Sequence, residues 1–143
     1  MSRIGNKVHM QKYVYDFAED GGVEGVIALS SKSNSSSLPD NALVKEVHYF
    51  VEAAVEGSTS TMSWGNTTEA DGYSGAAIAE ASLAIDAVGN GAAGAAALLW
   101  DDTNDHSIPF LANSVNDRDF NITIASGDLT AGKVIFYVEF FLP

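Results

Sequence analysis

The sequence predicts an all-β chain, an antiparallel β-sandwich or jelly roll with one or two short helices in an Ala/Gly-rich middle segment, and three observations predict it. Apolar residues recur at every second position through several stretches, most clearly at the C-terminal end, which is the spacing of a strand with one buried face. Those stretches are built from Val, Ile, Tyr, Phe and Thr, residues that fit a pleated, half-buried surface. Clusters of Gly, Asn, Asp, Ser and Pro interrupt them at short intervals, as turns do in a sandwich of about six to eight short strands.

Taken in order, residues 1–7 make a polar arm carrying Arg3 and Lys7. VHMQKYVYDF (8–17) is β-branched and aromatic enough for a strand, AEDGGVEG supplies a turn and VIALS a second strand, so these pieces predict a first hairpin. SSKSNSSSLPDN (30–41), which includes Lys32, has no apolar residue before Leu38 and reads as a solvated loop. In LVKEVHYFVEAAVEG, Leu43, Lys45, Val47, Tyr49, Val51, Ala53 and Val55 alternate with Val44, Glu46, His48, Phe50, Glu52 and Ala54. Val44, Val47, Val51, Ala54 and Val55 also fit a helical period, but the Val, Tyr and Phe content favours the strand. STSTMSW is a further strand and GNTTEADGYSG a loop.

GAAIAEASLAID (75–86) is Ala-rich and predicts a short helix ended by Gly89 and Gly91. GAAGAAALLW is open between another helical turn and a buried strand. DDTNDH is a polar loop, IPFLA a short apolar segment containing Pro109, and NSVNDRD leads into the last stretch. Residues 120–143 predict a closing antiparallel hairpin: Phe120, Ile122 and Ile124 alternate with polar residues, Ser126, Gly127 and Asp128 turn the chain, and the alternation resumes at Lys133. Val134, Phe136, Val138, Phe140 and Leu142 share one face of that last strand, and Lys133, Ile135, Tyr137, Glu139 and Phe141 the other. Phe120, Ile122, Ile124, Val134, Phe136 and Val138 are the predicted core. No repeat of fixed period is visible.

The length of 143 residues suits one sandwich domain, residues 8–143 behind the arm, burying about 68% of its unfolded surface. Nineteen acids against seven bases give a net charge of −12, which disfavours nucleic acid and anionic membrane as partners. With no cysteine, disulfides, thiol catalysis and Cys-ligated metals are excluded. The first residues lack the apolar core of a secretory signal, so the expectation is a chain made and folded in a cytoplasm, and AVGNGAAGAAALLW (87–100) is too short and Gly-rich to span a bilayer.

No P-loop, GxSxG or HExxH occurs, and the chain reads as a non-enzyme with no cofactor. His9, His48 and His106 are scattered, and His48 reads as a surface or satisfied residue of a strand rather than a metal ligand. Asp101, Thr103 and Asp105 resemble the start of a calcium loop, but His106 stands where its Gly is needed and Ala112 where its Glu is needed. That rejects an EF-hand and leaves an irregular calcium site at Asp101, Asp102 and Asp105 or a solvated acidic loop. From Glu46 to Asp117 there are 11 acids and no Lys or Arg. The bases of the arm and first loop, Arg3, Lys7 and Lys32, are therefore the candidate contacts with a partner.

Two segments carry a resemblance. LPDNALVKEVHYFVEAAVEGSTSTMSWGNTTEADGYSG and SGDLTAGKVIFYVEFFL resemble, in this order, a central strand pair and the final strand of small tailed-phage virion proteins. The family so resembled is that of capsid decoration, cement or head-fibre proteins. The resemblance implies a β-sandwich that commonly trimerises and stabilises the shell. Its implied partner is the major capsid protein and its implied place the capsid exterior. Phe140, Phe141 and Leu142, three large apolar residues in a row, are then the candidate subunit interface. The alternative is a carbohydrate- or host-surface-binding module of a virion, with Trp64, Tyr73 and Trp100 as a stacking platform for sugar rings. Exposed tryptophans would favour it; buried ones favour the structural module.

Overall fold

The computed structural model describes residues 7–89 and 110–143. In chain order these form β1 (Val8–Asp16), α1 (Phe17–Asp20), β2 (Gly25–Ala28), β3 (Ala42–Gly57), β4 (Thr61–Gly65), β5 (Ile78–Ala79), β6 (Val88–Gly89), β7 (Phe110–Ala112), β8 (Asn121–Ala125) and β9 (Leu129–Phe141). All strand pairs are antiparallel. The larger sheet runs β1-β9-β3, with β6 and β7 sharing the far edge of β3, and the smaller runs β2-β8-β4-β5. The two sheets face each other across one apolar core, so the chain is the antiparallel β-sandwich that its alternation predicts.

Neither predicted hairpin forms. β1 pairs with β9 while β2 pairs with β8, and β8 and β9 likewise lie in different sheets. Strand length accounts for this: β9 has 13 residues and finds partners along β1 and β3, with 9 and 16 residues, whereas β8 has only 5. The turn at Ser126 and Gly127 has positive φ, 62° and 136°, and crosses from one sheet to the other. Its backbone is held by neighbouring crossovers: the Thr59 hydroxyl donates to the Ser126 carbonyl (2.8 Å), the Ser60 hydroxyl to the Asp128 carbonyl (2.9 Å), and Leu129 N–H to the Gly22 carbonyl (2.7 Å). The passages from β1 to β2, β3 to β4 and β8 to β9 all switch sheets in this way.

All six predicted core residues are buried. Trp64, fully buried on β4, meets Phe136 and Tyr49 at ring distances of 5.0 Å each, and Phe120 stacks on Tyr13 at 4.6 Å. The predicted long strand 43–57 is present as β3, but its faces differ from strict alternation. The register shifts between Val44 and Glu46, which leaves Lys45 as an extra residue, so Val44 turns inward with Val47, Tyr49 and Val51, and Leu43 turns outward with Glu46, His48 and Phe50.

The α-helix predicted over 75–86 is replaced by β5, a 3-10 turn at Glu80–Ser82 and β6. Only Ile78 and Leu83 are buried there, five positions apart, while Ile85 is 63% exposed. Alanines give such a stretch helix propensity but too little apolar area to hold a helix face down. It runs instead along the open edge of β3, where Val51 N–H donates to the Ala87 carbonyl, Asp86 N–H to the Val51 carbonyl and Val55 N–H to the Leu83 carbonyl. Among the described residues the one α-helix is α1, four residues long, capped by the Asp16 carboxylate accepting from Ala18 N–H.

Candidate functional site

The outer face of the larger sheet is set by register. Val8, Phe141, Leu43 and Leu111 are successive partners across β1, β9, β3 and β7 and form one apolar row. Val14, Ile135, Phe50 and Val88 form a second across β1, β9, β3 and β6. Between them lie Met10, Glu139 and Glu46, then Lys12, Tyr137 and His48. Val8, Met10, Leu111 and Val88 are 42%, 55%, 46% and 67% exposed. A sheet face left to water alone would alternate to polar residues; this one keeps two apolar rows.

The polar band between them is organised around His48. Its Nε2 lies 3.0 Å from Glu46 Oε2 and 3.1 Å from Glu139 Oε2. Hydrogen bonding to His48 holds the Glu139 carboxyl below its usual range, with the neighbouring His48, Glu46 and Lys45 acting the same way against the cost of partial burial. Glu46 and Glu139 are direct cross-strand partners, a placement of like charges that is unfavourable by itself. The sequence reading missed this group because Glu139 is 91 residues from His48. The available signal was Glu46 and His48 at i and i+2 on one strand face, matched by the outward Glu139 of the last strand.

Along the β1 edge this face continues into a cleft of about 550 Å³ lined by Lys12, Val14, Asp16, Glu19, Lys32 and Lys133, among others. It gathers three of the seven bases. Lys32 is engaged there: its Nζ is 3.0 Å from Asp20 Oδ2 and 3.4 Å from Glu19 Oε2, and it donates to the Val14 carbonyl at 2.9 Å. Lys133 Nζ is 3.1 Å from Glu52 Oε2, and this pairing raises its pKa.

Of the other predicted site residues, Lys7 is exposed next to β1, and Arg3 lies outside the described residues. The structure separates Phe140, Phe141 and Leu142. Phe140 is buried in the chain's own core and stacks on His9 at 5.5 Å, Phe141 is half-buried on the outer face, and Leu142 packs at the core margin. Trp64 and Tyr73 are fully buried, so neither offers a face to a sugar ring. Trp100, His106, Asp101, Asp102 and Asp105 lie outside the described residues.

No protein-family model and no curated protein sequence matches this chain. Solved structures do. The chain is similar in fold to one in the cyanophage Pam1 capsid asymmetric unit, with a TM-score of 0.60 and 17% identity over 100% of this chain and 89% of that one. It is also similar to a chain in the acidic stable capsid of the Helicobacter pylori bacteriophage KHP30, with a TM-score of 0.54 and 17% identity over 95% of this chain and 88% of that one. At this level of identity the likeness is one of fold: this chain shares its sandwich, over nearly its whole length, with chains of two phage capsid structures.

Proposed function

We propose that this protein is a structural component of a phage virion: a decoration or cement protein, acting as a homotrimer on the capsid exterior and contacting the major capsid protein. The observation that carries the reading is the likeness of the entire sandwich, rather than of one motif, to chains from two phage capsids. A sandwich alone would be compatible with many roles. Two features narrow it. The outer face of the larger sheet presents two apolar rows, suited to contact with a protein surface, and the aromatics that would make a sugar platform, Trp64 and Tyr73, are buried. A net charge of −12 argues against nucleic acid or anionic lipid as the partner. Arg3, Lys7 and Lys32, together with Lys12 and Lys133, which line one cleft with Lys32, are the proposed basic contacts on the shell.

A protein that binds the assembled shell and not its free subunits stabilises the shell by mass action, by about 2.7 kcal/mol per site at a free concentration one hundred times Kd. The test is to mix the protein with undecorated shells and with unassembled capsid protein. Co-sedimentation with shells alone, together with a higher temperature of shell disruption, is expected. Equal binding to both forms, or to neither, would overturn the reading.

A further inference from the structure

We propose that Glu46, His48 and Glu139 form a binding site for one divalent transition-metal cation of the Zn²⁺ class on the outer face of the larger sheet. The inference does not depend on the virion role. Three donors of the right kind, an imidazole nitrogen and two carboxylate oxygens, lie within 4.8 Å of one another. His48 Nε2 to the two Oε2 atoms spans 3.0 and 3.1 Å. Bonds of 2.0–2.2 Å at tetrahedral angles would separate such donors by roughly 3.4 Å, so the two distances from His48 need only a slight opening, and side-chain rotation within the 4.8 Å cluster sets the third.

Register supplies an independent reason. Glu46 and Glu139 face each other directly across β3 and β9, and the chain offers a single imidazole nitrogen to both. A neutral imidazole has one N–H at that nitrogen and so satisfies two carboxylates poorly. A dication neutralises the facing pair and takes the nitrogen as a third ligand. The donors sit on the two longest strands, 16 and 13 residues, paired along their length, so the group is held in place before the ion arrives. His48 and Glu46 are each about a third exposed and Glu139 is 20% exposed. That leaves a fourth position for water on the open side, as in zinc sites with three protein ligands. The nitrogen ligand and the small donor number favour Zn²⁺ over Ca²⁺ and Mg²⁺, which take six or more oxygens.

The experiment titrates the full chain with zinc chloride at neutral pH by calorimetry, with calcium chloride as the comparison, while the imidazole NMR resonances are followed. One Zn²⁺ per chain, a shift of the His48 resonances on Zn²⁺ but not Ca²⁺, and loss of the binding heat in both His48→Gln and Glu139→Gln are expected. The NMR readout uses the unaltered protein, so it stands even where a variant folds poorly. No binding, binding heat unchanged in a folded His48→Gln variant, or a response confined to His9 or His106 would each overturn the proposal.

Discussion

At the scale of single residues, the core is held by aromatic rings drawn from both sheets. Phe136 is fully buried and lies 5.0 Å from Trp64 and 5.1 Å from Phe120, ring to ring. Removing it leaves a cavity that neighbours fixed on paired strands cannot fill, so Phe136→Ala is expected to cost about 3–5 kcal/mol in urea unfolding. Burial also governs the phenols. It raises the pKa of Tyr13, with a contribution from Asp119, and of Tyr49, and with the charges of Asp20 and Asp16 it pushes Tyr15 up to about 12. The folded protein therefore keeps protons that the unfolded chain releases near pH 10. The stability these groups contribute is complete below about pH 10 and is lost as the pH rises through the folded-state values. Alkaline titration should show their tyrosinate absorbance appearing together with loss of the strand circular dichroism signal; full ionisation of all five tyrosines in a folded chain would contradict this. The six predicted core residues were legible, because alternation in 120–124 and 133–142 states which side chains share a face, whereas the buried Val44, beside the bulge, and Tyr73, in a stretch that reads as loop, were not. The grouping around His48 was not legible, since one partner, Glu46, shares its strand but the other, Glu139, comes from β9, and the three meet only in three dimensions.

At the scale of elements, the sequence shows strands well and their partners poorly. Period-2 spacing is local, whereas the choice between folding back on the preceding strand and crossing to the other sheet depends on which distant strand is long enough to pair. For β9 those strands are β1 and β3. A single-residue bulge at Lys45 was equally invisible, since strict alternation predicts the opposite faces for Leu43 and Val44. The end of β4 shows how closely the crossing loops are packed. A Cβ on Gly65 would run into the carbonyl of Glu69 and lie 2.8 Å from backbone atoms of Ala70, in the loop that Asn66 anchors by accepting from Glu69 N–H at 2.9 Å. Backbone cannot give way as a flexible side chain can, so Gly65→Ala is expected to lower stability by about 1–3 kcal/mol, read as a lower melting temperature with an unchanged circular dichroism spectrum. A variant as stable as the parent would show that the loop moves freely.

At the scale of the whole molecule, the two faces of the sandwich differ in what they offer. The smaller sheet sets one exposed Val26 beside the hydroxyls of its successive partners Thr123 and Ser63, while the larger presents apolar rows that run across four strands each. Phe141 stands in the first row, flanked by Val8 and Leu43 and followed by Leu111. It is only half-buried within the chain, so replacing it removes little from the core, and a charge placed there is felt by whatever covers the row. The proposed homotrimer makes that cover a second copy of the chain near a three-fold axis. Light scattering of the parent protein should then give a mass near three times the 15.0 kDa of one chain. Phe141→Asp should reduce it to that of the single chain at micromolar concentration, with the secondary structure and the melting temperature of the monomer little changed. A trimer that persists in Phe141→Asp but no longer attaches to shells would move the row from the subunit interface to the capsid contact. A parent protein that scatters as a monomer would end the trimer.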